Sequence, residues 1–367
     1  VSYKVYPVNA PFKGIVNNVP SPYNPPASFD DILNFFIWKG RIRTRPKLTA
    51  KASVTDSCII RNMITFQDVT TAFHTLLLTT KTPYYITGTG PTYTAVTLPG
   101  GITDLSGTSL PYGIAAPFNR VYFSNGSVRL LYADGGAGCS VGGKLNAGGT
   151  DYFSCRFLTV NAYHLIAAYT TEYVSAVTTT YPSRVRWSKS GDPNDWYSLS
   201  SGLNDIIDVS DQITGLMTVG RNTFIARKNG YTIMYPTGVG IDAFKFENYS
   251  YAPEGVGVKY PYSLAVYGSD AVFVAAEDIY CIQGGTNFRP IGGEVKKAIF
   301  EDISKASGDV IRGFLVPRLG VNYDFYSYWL SIPGVNVSWV YSFDADSWMR
   351  FNSSAGALTC VNTVALA

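Results

Sequence analysis

The chain has 367 residues, of which 46% are hydrophobic, 14% aromatic and only 15% charged, and 29 Lys and Arg against 26 Asp and Glu leave a net charge of +3. This length allows a large core, while so small a net charge argues against a nucleic-acid binder that works by charge alone. Five scattered cysteines (Cys58, Cys139, Cys155, Cys281, Cys360) with no C-x-x-C pair disfavour a disulfide framework and a zinc site. They fit thiols kept in a reducing cytoplasm.

Residues 1–29 are rich in Pro and Asn and read as an extended arm. Phe35–Trp38, a Lys39-Gly40 turn and Arg41–Lys47 then read as a hairpin. On its return strand Arg41, Arg43, Arg45 and Lys47 alternate with Ile42, Thr44 and Pro46, so all four cations share one face. Such a row is either a solvated sheet face or a contact for an anionic partner surface or for phosphate.

Ile59–Phe66 and Phe73–Thr80 read as strands, and Pro83–Thr87 with Tyr93–Leu98 as a hairpin. Asn125-Gly126 is the strongest short turn signal, joining Arg120–Ser124 to Ser127–Tyr132. Long loops are expected near 88–113 and over the Gly-rich 134–149. Tyr152–Thr159, His164–Tyr169 and Tyr173–Tyr181 follow as strands. Tyr231–Tyr235 pairs with Phe244–Phe246, and Ile279–Gln283 with Phe288–Ile291. One helix is expected at Glu294–Ile303, with Val295, Ala298, Ile299 and Ile303 on one face.

One stretch occurs twice. Val185–Trp196 reads V-R-W-S-K-S-G-D-P-N-D-W and Val337–Trp348 reads V-S-W-V-Y-S-F-D-A-D-S-W. Without a gap they align Trp187 with Trp339, Ser190 with Ser342, Asp192 with Asp344 and Trp196 with Trp348. Each reads as a strand, a Ser/Asp turn and a return strand opened by the second Trp. The plain reading is a structural hairpin repeated in an array. The sharper reading makes Asp192/Asn194 or Asp344/Asp346 a calcium site or a catalytic pair, although neither copy has the glycine and distal glutamate of an EF-hand loop.

Hairpins near 187, 234, 280 and 339 step by about 46 to 59 residues, close to propeller blade lengths. Strands in groups of four with almost no helix predict an all-β fold, a β-propeller of six or seven blades over residues 30–367. The count of seven includes the Phe35–Lys47 hairpin. Closure would bring Ala357–Val364 beside an early strand.

Chemistry is scarce. Gly138-Cys139-Ser140-Val141-Gly142 matches G-x-S-x-G but sits in a glycine loop, without the strand before it and the helix after it that an elbow needs. The same stretch fails as a phosphate loop, because Leu145 follows Lys144. His74 and His164 are the two histidines, both in apolar strand-like runs. No cofactor, metal or catalytic residue is therefore expected, and the chain reads as a non-enzyme. It shows neither a secretory leader nor an apolar run of about 18 residues, so no membrane insertion is expected.

Ser190-Gly191-Asp192 and Trp196 resemble the Asp-box of sialidases, S-x-D-x-G-x-x-W, with Asn194 at the glycine and the Trp one residue early. A glycan-binding or glycan-cleaving propeller is thus the alternative. A broader resemblance is to the tail nozzle, or tail hub, proteins of short-tailed bacteriophages. Pro11, Phe12, Gly14, Asn34, Gly40-Arg41 and Arg45-Pro46 resemble their N-terminal module. Arg184–Trp196 and Val340–Trp348 resemble their blade hairpins. This resemblance implies a structural virion protein, assembled in the host cytoplasm as a homomeric ring, generally a hexamer. It implies contact with adaptor or head-to-tail connector proteins and with a tail needle or tailspikes. Double-stranded DNA would pass through the lumen without specific binding.

Overall fold

The computed structural model describes residues 15, 33, 35–38, 41–44, 59–87, 92–105, 110–207, 211–239, 242–249, 256–283, 287–306, 311–317, 326–335 and 337–352. Strands β1 (Phe35–Trp38) and β2 (Arg41–Thr44) pair as the expected hairpin, but as a sheet of their own. The described strands after them form six four-stranded antiparallel sheets, each in chain order.

Blade 1 is β3 (Ile60–Gln67), β4 (Phe73–Thr79), β5 (Tyr84–Thr87) and β6 (Thr92–Ala95). Blade 2 is β7 (Gly113–Ala115), β8 (Val121–Ser124), β9 (Leu131–Ala133) and β10 (Ser140–Val141). Blade 3 is β11 (Tyr152–Asn161), β12 (His164–Val174), β13 (Val177–Trp187) and β14 (Gly202–Asp205). Blade 4 is β15 (Ile213–Val219), β16 (Asn222–Arg227), β17 (Tyr231–Pro236) and β18 (Phe244–Tyr249). Blade 5 is β19 (Ala265–Tyr267), β20 (Asp270–Val274), β21 (Ile279–Gln283) and β22 (Asn287–Pro290). The helix α1 (Lys296–Lys305) leads to blade 6, β23 (Arg312–Val316), β24 (Ser327–Ser331), β25 (Val337–Ser342) and β26 (Ser347–Asn352). The fold is a six-bladed β-propeller.

The blade count follows from which hairpin was which. Five of the predicted hairpins join the third and fourth strands of blades 1, 3, 4, 5 and 6. In blade 2 the Asn125-Gly126 turn joins the second strand to the third. Asn125 Oδ1 accepts from the Ser127 and Val128 amides at 3.1 and 2.8 Å, and Gly126 takes φ +84°. The fourth strand of blade 2 lies in the segment expected as a long loop, 134–149, where β10 pairs with β9. Phe35–Lys47 adds no seventh blade.

A blade is buried on both faces, and strand alternation sends successive side chains to opposite neighbours. Phe224 packs towards blade 5 and Ile225 towards blade 3. The same logic separates Tyr122, which joins the blade 2–3 core, from Val121 and Phe123, which join the blade 1–2 core. The largest cluster joins blades 5 and 6 and takes in α1 through Ile299 and Ile303. Each large side chain so buried contributes about 1.5–3 kcal/mol.

Ala357–Val364 lies outside the described residues. What the described chain places beside the last blade is the N-terminal segment. Ile15 is 2% exposed in the blade 6 cluster and its amide meets Trp348 O at 3.4 Å, while Leu33 bridges Arg350 in parallel. Within the arm, therefore, Ile15 docks on the chain's own last blade. Blade 6 meets blade 1 at the axis, where Arg312 donates to Arg61 O.

Candidate functional site

Both repeat tryptophans lie on the third strand of their blades, Trp187 ending β13 and Trp339 inside β25. Beyond that the copies differ. In the second copy Trp348 enters the return strand as expected and pairs with Tyr341. In the first the return strand begins at Gly202, and Trp196 stays in the loop. It is 3% exposed, edge-on to Phe153 at 4.8 Å, and its Nε1 donates to Pro193 O at 2.9 Å. The long turn is held by Asp195, which the motif comparison passed over. Its carboxylate accepts from the Tyr197 and Ser198 amides at 3.2 and 3.0 Å and from the Ser198 hydroxyl.

Most of the polar motif residues are engaged in structural hydrogen bonds, some within their own turns and some to the preceding blade. Asp192 Oδ1 accepts from the Asn194 amide at 3.1 Å, and Asn194 Oδ1 accepts from the Tyr122 hydroxyl at 3.1 Å. Ser190 is exposed. Ser342 is fully buried and accepts from the Ala345 amide at 3.3 Å. Asp344 accepts from the Tyr326 amide at 3.2 Å. Asp346, at φ +47°, takes the Tyr341 hydroxyl and Arg289 Nη1, the latter at 2.9 Å. The Tyr341 hydroxyl bond, ahead of Arg289, holds the Asp346 carboxyl below the usual range. A carboxylate already paired with a guanidinium is a poor calcium ligand. Among the described residues no group of three His, Cys, Asp or Glu is placed to hold a metal.

Gly202 shows how tightly the first copy is built. A Cβ there would sit 2.4 Å from Trp187 Cζ2. Gly202→Ala is expected to cost about 1–3 kcal/mol by forcing the indole aside. Chemical denaturation measures it, and an unchanged midpoint would show that the indole yields freely.

The histidines are structural in their contacts. His164 is 5% exposed and its Nδ1 donates to Ser188 O at 2.6 Å. His74 meets Asp68 at 2.9 Å and packs against the rings of Phe66 and Tyr85. The Thr70 hydroxyl bond first, then His74, holds the Asp68 carboxyl at about 2. Ser140 opens β10 opposite Tyr132, so the G-x-S-x-G match is an outer strand. Burial pushes the thiols of Cys139 and Cys281 up to about 12, which makes them inert at neutral pH.

Of the basic row, Arg41 and Arg43 lie on β2. Arg45 and Lys47 lie outside the described residues.

Two hollows stand out. One, of 480 Å³, lies between blades 5 and 6 and brings Asp344 beside Asp270, Tyr267 and Tyr326. The other is axial, 270 Å³, and receives Met63, Ile114, Leu158, Leu216, Leu264 and Phe314, one residue from the inner edge of every blade. An adjoining hollow of 270 Å³ opens it towards the starts of the inner strands. Sequence reading missed this assembly, because its residues come from six separated parts of the chain.

No protein-family model matches the chain, and no curated protein matches it. Among solved structures it is similar to the WD40 propeller domain of Doa1, with 10% identity, 84% of this chain and 87% of that one covered, and a TM-score of 0.47. It is also similar to apo AztD from Citrobacter koseri, with 9% identity, 81% and 90% covered, and a TM-score of 0.41. A third similarity is to an ancestral GH74 enzyme, with 10% identity, 80% of this chain but 38% of that one covered, and a TM-score of 0.45. The six-bladed architecture itself rests on the sheet order of this chain.

Proposed function

We infer that the chain is a structural virion protein, a subunit of the tail nozzle of a short-tailed bacteriophage, acting as a non-enzymatic ring component. The resemblance of Arg184–Trp196 and Val340–Trp348 to nozzle hairpins motivates it. The observation that carries it is the ribbon of blade 3. There β12 and β13 stay paired to a tip at Ser175-Ala176, both at positive φ, while β14 covers only Arg184–Trp187. One edge of residues 177–182 is therefore left without a strand partner among the described residues, and Val177–Thr180 are exposed. An open edge of Val and Thr is a ready template for pairing with another chain, which suits a ring of copies. The axial cavity is far too small for duplex DNA, so the conduit in this reading is the lumen between subunits. The row Arg41, Arg43, Arg45 and Lys47 would then meet an acidic protein surface such as an adaptor. A lumen lined with it would hold phosphates by counterion release.

Electron microscopy of the purified protein and of the tail complex tests the assembly. Closed rings are expected, and Thr178→Pro with Thr180→Pro on the open edge should leave subunits that fold but do not close. A subunit that stays monomeric and is absent from any tail overturns the reading. A glycan-active propeller is the second reading, favoured by the Asp270/Asp344/Tyr267/Tyr326 hollow. Turnover of a bacterial polysaccharide, lost in Asp270→Asn, would establish it in place of the structural one.

A further inference from the structure

We propose that the mouth of the axial cavity binds a small multivalent oxyanion, a phosphate- or sulfate-bearing molecule, through Arg156, Lys228, Lys259 and Arg312. The four cations arrive from separate parts of the ring. Arg156 lies on β11 and Arg312 opens β23. Lys228 follows β16, and Lys259 precedes the short turn Pro261–Ser263. All four line the axial hollow or the one adjoining it, and the two hollows share Arg156, Phe157, Pro261 and Tyr262. No Asp or Glu is among the described residues lining either.

Several cations elsewhere are matched by carboxylates: Arg184 and Arg186 meet Glu172, Arg289 meets Asp346, Lys296 meets Asp278 and Lys305 meets Asp302. Lys228, Lys259 and Arg156 form no ion pair among the described residues. Arg156 is instead held over the Tyr169 ring at 4.0 Å, which fixes its guanidinium without neutralising it. Asp211, next to the lining residue Gln212, is turned to the Asn229 amide at 2.7 Å. Like charges gathered around one hollow repel one another, and an anion seated among them relieves that repulsion. Walls of Phe157, Leu158 and Leu264 keep the dielectric low and strengthen attraction for an anion. The 270 Å³ of each hollow suits a phosphate or pyrophosphate group.

The site is independent of whether the chain forms rings, and its test uses the isolated full chain. Thermal unfolding is followed with inorganic pyrophosphate and, separately, sulfate, each against chloride at the same ionic strength. At a roughly hundredfold excess over Kd, pyrophosphate or sulfate should raise Tm by about 3–5 °C, and the larger shift names the preferred group. Lys228 and Lys259 are exposed, so Lys228→Ala/Lys259→Ala should keep the anion-free Tm and lose most of the shift. Arg156→Gln should weaken binding in calorimetry with pyrophosphate. No shift beyond chloride, or the same shift in the double variant, overturns the proposal.

Discussion

Trp339→Ala is expected to destabilise the propeller by about 3–5 kcal/mol, the range for emptying a large core site. Trp339 is 1% exposed inside the largest cluster, and its Nε1 donates to Asp302 Oδ2 on α1 at 3.0 Å. The loss therefore has two parts, volume and a hydrogen bond. Trp339→Phe separates them. It keeps most of the ring but leaves the buried Asp302 carboxylate without that donor, for about 1–3 kcal/mol. Trp187→Phe is the control. Trp187 packs on Phe244 and Phe246 at 5.5 and 5.9 Å, and among the described residues its Nε1 has no acceptor. With no hydrogen bond to lose, Trp187→Phe should cost less than Trp339→Phe. Urea titrations of the three variants decide it. Equal costs for the two Phe substitutions would show that the Asp302 bond contributes nothing.

That contrast marks what the sequence could and could not carry. Turn chemistry is local, so hairpins at Asn125-Gly126, Tyr231–Phe246 and Ile279–Ile291 were legible from neighbouring residues. The period placed Trp187 and Trp339 on corresponding strands for the same reason. Their partners were not legible. Asp302 reaches Trp339 from a helix, and Phe244 reaches Trp187 from the next blade. Trp196 failed to open a strand because Asp195 ties Tyr197 and Ser198 into a turn, which delays pairing to Gly202. The fourth strand of blade 2 was hidden because Ser140–Val141 is only two residues long within glycines. The axial cations were hidden most deeply. Arg156, Lys228, Lys259 and Arg312 share no spacing, and only ring closure brings them together.

Glu172→Ala is expected to cost about 3–5 kcal/mol, the penalty for breaking a buried pair from one side. Glu172 is 4% exposed and accepts from Arg186 Nε and Nη2 at 2.6 and 2.8 Å and from Arg184 Nη1 at 3.1 Å. Arg184 also grips Asp205 through two bonds of 2.7 Å. A shift in register between Ala168 and Thr170, at Tyr169 with φ +56°, leaves β13 with extra residues opposite it. Such a bulge re-aims side chains, and here both guanidiniums reach one carboxylate. Removing Glu172 would leave two cations converging with Asp205 as the one carboxylate still paired with either among the described residues. The same network gives a pH signature. Burial by itself pushes the Glu172 carboxyl up, but Arg186 and then Arg184 outweigh it and hold the group below its ordinary value. A carboxyl lowered by folding contributes stability that is full above its unfolded value, about 4.3, and is lost as pH falls through the lower folded value. The stability gap between the protein and Glu172→Gln should therefore be widest near neutral pH and narrow below about pH 4.3. Denaturation midpoints of the two chains, compared between neutral and acid pH, read this directly. A gap that stays constant into acid would mean that the Glu172 charge is not what holds Arg184 and Arg186 in place.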